Sequence, residues 1–575
     1  MLVSLLLVIM QWTCGQQKSI KADSFPFNIS TTNLTPGKVN DLYVLAKIWG
    51  FLKYFHPQVA AGKFDWDNEL EIFLPGYINT KNEVERNDSL LSWIKRLGDV
   101  PAKKAGDYKA INKYKLMPDF SWISDKNLGK ELKNKLMYIL DNRQQGDQYY
   151  IKFYRSEGLN IPVFQHEKGF AQNECPPVEI RLIALYRFWN VIEYWYPYKY
   201  NLPTVWDLVL KEQLPFFLKA NNIDDYTLAV SRLLATIHDG HGFFNSLAEN
   251  DLLGYYYLPV RFKYVERNII ISSISNDSIS QDLGLAVGDV IESINGTKAD
   301  KIIEQKLPYT SGSNLPDQIN AITRDLNRTS RATSILEIND GKKVRKVTVQ
   351  NTFTKKWLNQ FVQSFSYQRD SSLSLLKNDI AYLNMGKLTM EEDSAKIVSL
   401  LEKCSAVIID ARQNAVEDGF HQNPIALLEN LLCNGQQPFI FSTGQPDFAG
   451  VFELADSAKI PIKPHAVRYL KPIVILINEE VKSVGEFMTM LFSKAPKAVV
   501  MGSTTSGTDG PVTNLTLPGV FIYFTGTGIY WANGDETQRV GIRPDIEVYP
   551  TIKGFRTNND ELLEKATDYL SQQLK

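Results

Sequence analysis

Cysteine is scarce: Cys14, Cys175, Cys404 and Cys433 are the four in a chain of 575 residues. Spread this widely and without a CxxC pair, they exclude a disulfide-framed scaffold. Histidine is nearly as scarce, with six residues. The close pair His238 and His241 has no cysteine or third histidine beside it, and structural zinc normally takes four ligands, so no metal is implied. Net charge is almost nil. Lys+Arg 63 against Asp+Glu 64 leaves -1, so no global field draws the chain to nucleic acid or to an acidic membrane. Beyond the first residues no segment reaches the ~18 consecutive apolar residues that span a bilayer. What is present is ordinary for a folded protein: 44% hydrophobic and 22% charged residues exclude a disordered tail or a fibrous repeat. At roughly 100–200 residues per domain the length implies several domains. Aromatics at 11%, with 27 Tyr and 10 Trp, suit extended surfaces that grip peptide or glycan.

The amino terminus bears on location. Residues 2–10 are apolar apart from Ser4, too short for a membrane span and close to the apolar core of a signal peptide. Thr13, Cys14 and Gly15 then supply small residues before a polar stretch. Cleavage after Gly15 is one reading of this 1–15 leader, and lipidation of Cys14, giving a lipid anchor, is the other. No Lys or Arg precedes the apolar run, and Gln11-Trp12-Thr13 is a poor lipobox. Export to the periplasm or cell envelope is expected, with the anchor left open.

An internal duplication organises the first half. Leu45, Trp49, Tyr54 and Pro57 return as Leu185, Trp189, Tyr194 and Pro197, each 140 positions further on. The same offset relates Trp66-Asp67 to Trp206-Asp207, and Asp99 to Asp239. Both copies have apolar residues at helical spacing, and a proline ends each first helix. Two related helical units are expected, 24–150 and 177–248, joined by a less regular stretch. After the shared aspartate the copies part: Val100-Pro101 follows the first, and Gly240-His241-Gly242 the second. The tryptophans are what a structural repeat needs. His241 is an addition, and its glycine flanks predict a backbone that bends tightly or approaches something closely.

Residues 255–352 change character. Val260–Val265 and Asn268–Ser272 read as strands; a turn, a strand and the hairpin signal Asn295-Gly296 follow, with a second hairpin at Asp340-Gly341. The run Gly284-Leu285-Ala286-Val287-Gly288-Asp289-Val290-Ile291-Glu292-Ser293-Ile294-Asn295-Gly296 resembles a PDZ domain, which implies binding of an extended peptide by strand addition. A plain β spacer is the alternative.

From about 375 to 575 the pattern alternates buried strands, near 380–385, 406–410, 473–477 and 498–501, with helices near 391–403, 423–433 and 483–494 and a last helix at 559–574. An α/β domain with a partly parallel sheet is expected. Ser483 falls where a strand and short polar loop lead into a helix. With Glu486 three residues on it fits a capping box. The same place suits a nucleophile, because free backbone N–H groups at a helix start hold a developing oxyanion.

The strand, the Ser483-x-x-Glu486 helix start, Gly502-Ser-Thr-Thr-Ser-Gly507 and Gly541-Ile-Arg-Pro544-Asp545 together resemble the tail-specific, or carboxy-terminal processing, serine protease family. The resemblance covers the PDZ-like stretch and nearly all of 375–550. It implies a serine-type peptidase with Ser483 as nucleophile and the Val484 N–H in the oxyanion hole. The base differs from the family's common lysine: that position is Thr508 here. A branch similar to the tricorn core protease uses instead a histidine ahead of the PDZ-like domain, which implies His241 as general base. The orienting acid of that branch maps nearest to Gln538, with Asp535 and Glu536 just before it. The glycine-rich turn after the family's Asp-x-Arg strand is altered, since Asp410-Ala411-Arg412 is followed by Gln413-Asn414-Ala415.

The fold class expected is therefore multidomain α+β: duplicated helical units at the amino terminus, a PDZ-like β domain and an α/β catalytic domain. The function expected is proteolysis of extended peptide or protein substrates, with neither metal nor organic cofactor and no nucleic acid partner. The rival reading is a non-catalytic peptide- or glycan-binding scaffold on the same fold.

Overall fold

The computed structural model describes residues 35–103, 114–156, 159–275, 281–353, 372–388, 392–412, 438–455 and 469–575. The leader with Cys14, the helix expected near 423–433, and the altered turn at residues 413–415 lie outside them. The chain is a mixed helix and sheet protein, and none of the described helices is long and apolar enough to cross a membrane.

Helices Pro36–Phe55, Trp66–Ile78 and Glu83–Arg96 have counterparts in Val178–Trp195, Trp206–Lys219 and Ile223–Ala235. Asn82 and Asn222, 140 apart, cap the third helix of each set through side-chain oxygens that accept backbone N–H groups. In each set two tryptophans close a reciprocal pair. Trp49 Nε1 donates to the Trp66 carbonyl at 3.2 Å and Trp66 Nε1 to the Trp49 carbonyl at 3.0 Å. Trp189 and Trp206 repeat this at 2.9 and 3.0 Å. A buried indole N–H must find an acceptor, so both rings of each pair lock two helices together at fixed register.

These helices share one core with Leu515, Ile522 and Phe524, which lie on a small antiparallel sheet of Val512–Leu517, Val520–Thr525 and Phe243–Asn245. Arg187 Nη1 donates to the Thr516 carbonyl and the Tyr226 hydroxyl to the Pro518 carbonyl, each at 2.7 Å. The helical half thus grips the sheet on which half of the site is built.

Strands Val260–Val265, Asn268–Ile274, Val290–Ile294, Thr333–Asn339 and Val344–Gln350 form an antiparallel β-rich unit, with Val260–Val265 at one edge. Asn295 and Gly296 make a two-residue hairpin loop with φ of 51° and 83°. That is the left-handed pair a type I′ turn requires, and it is why Asn-Gly stands there. Helix Leu315–Asp325 packs on this sheet through Ile322.

The carboxy-terminal sheet runs in the order Leu373–Leu376, Ile380–Asn384, Ala406–Asp410, Ile473–Ile477, Ala498–Gly502 and Ile546–Glu547; the first pair is antiparallel and the rest parallel. Alternation decides the packing. Val407, Ile409, Ile473 and Ile475 face Met488 and Leu491 of helix Val484–Phe492, whereas Ile408, Val474 and Leu476 face Leu562, Ala566 and Leu570 of helix Glu561–Gln573. A parallel strand covered on both faces is apolar throughout. The loops carrying Ser483 and Thr508 leave the carboxyl ends of the neighbouring strands Ile473–Ile477 and Ala498–Gly502, the edge where open α/β sheets place their sites.

Candidate functional site

Ser483 precedes helix Val484–Phe492 with φ 53° and ψ -116°, and its side chain makes no capping bond. Outside glycine that conformation is rarely occupied and costs on the order of 1–3 kcal/mol. The capping box expected from Ser-x-x-Glu does not form. A cap requires an extended backbone at the serine, and here the chain turns too sharply. The turn is held from outside: the Ser483 N–H donates to the Thr508 carbonyl at 2.6 Å. Glu486 is buried and serves the same loop. It accepts the Gly507 and Thr508 N–H groups at 2.9 and 2.7 Å, and the Thr505 hydroxyl as well. Burial raises its pKa to about 7, above the ordinary carboxylate value, against these donors. The outcome is a half-exposed Ser483 hydroxyl without a hydrogen-bond partner among the described residues, beside a helix start. Val484 is the first residue of that helix, so its N–H has no intrahelical acceptor.

His241 is set by sheet register. Phe243 pairs with Tyr523 and Phe244 with Ile522, and two residues back the same register sets His241 opposite Thr525. Its Nδ1 lies 2.9 Å from Thr525 Oγ1. That hydroxyl lies 3.1 Å from Asp239 Oδ1, while Asp239 also accepts the Thr525 N–H at 2.7 Å and the His241 N–H at 2.9 Å. An ionised carboxylate only accepts, so the threonine proton points to Asp239 and its lone pair to Nδ1. Nδ1 therefore carries the imidazole proton, and Nε2 is left with a lone pair. Burial is the largest influence on His241 and lowers its pKa below 6.5; Lys482 lowers it further, while Asp239 and Asp317 oppose.

Of the orienting groups expected near His241, Gln538 is one step removed and Glu536 is elsewhere. Gln538 Nε2 lies 3.4 Å from Asp239 Oδ1, and its Oε1 accepts the Asp509 N–H at 3.0 Å. Glu536 pairs with Lys115 at 2.7 Å and accepts the Tyr200 hydroxyl. Its place at the helical half is dictated by those partners. Asp239 stands where an acid was sought. It escaped the sequence reading because its repeat counterpart Asp99 made it look structural. Asp99 is exposed, Asp239 fully buried. Thr525 carries no sequence signal at all.

The two halves meet through Thr508, the residue in the place of the family's lysine. Its hydroxyl lies 2.7 Å from Ser313 Oγ, which accepts the Gly240 N–H at 2.8 Å. A Cβ on Gly240 would stand 2.0 Å from Thr508 Oγ1, and one on Gly242 would stand 2.4 Å from Ser311 Oγ. The glycines flanking His241 are thus required by close approach, not by a turn of positive φ. Below the site, Arg412 bridges Asp410 at 2.7 Å and Asp560 at 2.9 Å, tying the strand end to the last helix.

Residues 379–548 match Peptidase family S41. An uncharacterized protein of Chlamydia muridarum (strain MoPn / Nigg) is 32% identical over 117 residues, 19% of this chain and 20% of that protein. A protein of Chlamydia trachomatis serovar D is 30% identical over the same length, again 20% of its own chain. The match thus spans about a fifth of the length of these curated relatives. Mature CPAF complexed with lactacystin has a similar structure: TM-score 0.55 at 15% identity, covering 69% of this chain and 99% of that one. The shared fold extends well outside the family match, which contains Ser483 and Thr525 but neither Asp239 nor His241.

Proposed function

We propose that the protein is a serine-type peptidase acting on extended peptide or protein substrates. Ser483 is the nucleophile, His241 Nε2 the general base, and Asp239 acting through Thr525 the group that orients the base. The observation that carries this reading is the strained turn at Ser483. A family S41 domain spends backbone energy to present one uncapped hydroxyl at a helix start, in the same hydrogen-bonded network as a buried histidine. Ser483 Oγ attacks the scissile carbonyl as His241 Nε2 takes its proton. The Val484 N–H meets the oxyanion, a donor of a kind worth about 3–4 kcal/mol in other serine peptidases. The imidazolium, stabilised by Asp239, then protonates the leaving amine, and water releases the acyl group by the same steps. Ser483 and His241 share no hydrogen bond in the unliganded protein, as is common before substrate tightens a site. The β-rich unit, read as PDZ-like, supports capture of substrate as an added strand.

The test is labelling of the purified protein by a fluorophosphonate probe, beside Ser483→Ala and His241→Ala. Labelling of the wild type, lost in both folded variants, is the expected result. Labelling that survives His241→Ala assigns the wrong base, and a folded, unblocked wild type that never labels favours the binding scaffold.

The pH profile provides a second check. A base must be neutral to accept the serine proton, and His241 is neutral above its pKa. That pKa is pulled below 6.5 chiefly by burial, so the acid limb of kcat/KM is expected below pH 6.5. A limb at pH 7 or above would contradict His241 as the base.

A further inference from the structure

The loops that carry the nucleophile and the base are held together by a third party, the β-rich unit. Asp317, in the first turn of helix Leu315–Asp325, is buried and reaches both. Its Oδ1 lies 3.1 Å from Nζ of Lys482, the residue immediately before Ser483. Its Oδ2 accepts the Ser313 N–H at 3.0 Å and lies 3.5 Å from Thr508 Oγ1. Ser313 in turn holds the Gly240 N–H and the Thr508 hydroxyl. Neighbouring groups of the same unit grip the same loops: Asn314 Nδ2 donates to the Thr505 carbonyl at 2.9 Å, and Lys263 pairs with Glu480 at 2.8 Å and Glu479 at 3.1 Å. A Cβ on Gly240 would come within 2.4 Å of Asp317 Oδ2, so the carboxylate sits against the turn that carries His241.

We infer that Asp317 is a positioning residue of the peptidase site, through which the β-rich unit sets the placement of Ser483 and the charge environment of His241. The inference rests on the Ser483–His241 reading above. One carboxylate fixes the residue preceding the nucleophile, the threonine whose carbonyl holds the nucleophile's N–H, and the serine that holds the turn of the base. Movement of the β-rich unit, for instance on capture of a peptide, therefore reaches both reacting groups at once. The charged groups that bear on His241 are Asp239 on its own turn, Lys482 on the nucleophile loop and Asp317 on the helix. Glu486 raises Asp509 further on the adjoining loop, where burial is the larger cause.

The experiment uses the full chain, a fluorogenic peptide substrate and the variants Asp317→Asn and Lys482→Met, with fluorophosphonate labelling of the wild type alongside. Asp317→Asn is expected to lower kcat on the order of 10²-fold with KM little changed, as a misplaced reacting pair does. Its acid limb should move to lower pH, because a charge that favours the imidazolium is gone. Lys482→Met should move the limb to higher pH, because a charge that opposes the imidazolium is gone. A purely structural role would cost stability and leave both limbs in place, and unmoved limbs in both variants would overturn the inference. If Asp317→Asn does not fold, Lys482→Met decides by itself: an upward limb supports the inference and an unmoved one overturns it. A wild type that never labels removes the underlying peptidase reading, and with it the inference.

Discussion

Replacing Ser483 by alanine is expected to lower kcat for peptide hydrolysis about 10⁴-fold or more, to near background, with the fold intact. The reasoning is local. The hydroxyl makes no capping bond and has no hydrogen-bond partner among the described residues, so its loss removes chemistry and leaves the packing of Phe487, Met488 and Leu491 untouched. The backbone is the informative part. At φ 53° and ψ -116° a serine bears strain that a glycine does not. Ser483→Gly should therefore be as inactive as Ser483→Ala and no less resistant to denaturant than the wild type, the relief of strain offsetting glycine's unfolded-state entropy. Steady-state rates with denaturant curves for the three proteins check both statements. Residual activity within about tenfold of the wild type in either variant would remove Ser483 as nucleophile.

Asp239→Asn is expected to lower kcat about 10²–10⁴-fold, the upper figure being that of the corresponding aspartate in a serine protease triad. The mechanism is a lost acceptor and a lost charge. Both Asp239 oxygens accept backbone N–H groups, from His241 and from Thr525, so an asparagine must set its amide donor against one of them. That loosens the link through Thr525 to His241 and removes the charge that stabilises the imidazolium. Thr525→Val should fail for the related reason that it offers Nδ1 no acceptor. Thr525→Ser keeps the hydroxyl and is expected to retain most activity. The contrast between Thr525→Ser and Thr525→Val, measured as kcat at fixed pH, separates orientation of the base from packing. Equal rates in the two would show that the hydroxyl is idle.

Much of the framework was legible because burial writes itself into composition. Strands Ala406–Asp410 and Ile473–Ile477 are covered on both faces, so each is apolar along its length and readable without knowing its neighbours. The reciprocal pairs Trp49 with Trp66 and Trp189 with Trp206 explain why tryptophans recur at a constant offset. Asn295-Gly296 is a hairpin because only such residues accept its two left-handed conformations. The glycines beside His241 were equally readable as a sign of close approach, although what approaches, Thr508 and Ser311, was not.

Where local rules and tertiary contacts compete, the sequence misleads. Ser483 and Glu486 satisfy the capping-box pattern, yet Glu486 turns to Gly507 and Thr508 on the next loop. The Gly507 and Thr508 N–H groups of that loop are buried and find their acceptor in this carboxylate, whereas the N–H of Ser483 is already held by the Thr508 carbonyl. Glu536 was nearest in sequence to the acid sought, but Lys115 and Tyr200 hold it at the helical half.

By itself the sequence determined what depends on residue type and local spacing: the apolar strands, the repeated helices, the hairpins, and a histidine held between glycines by close approach. Only the tertiary structure decided which groups surround that histidine. Thr525, Asp239, Thr508, Ser313 and Asp317 come from segments up to hundreds of residues apart. Their meeting depends on sheet register and on the docking of three units, neither of which any local periodicity records.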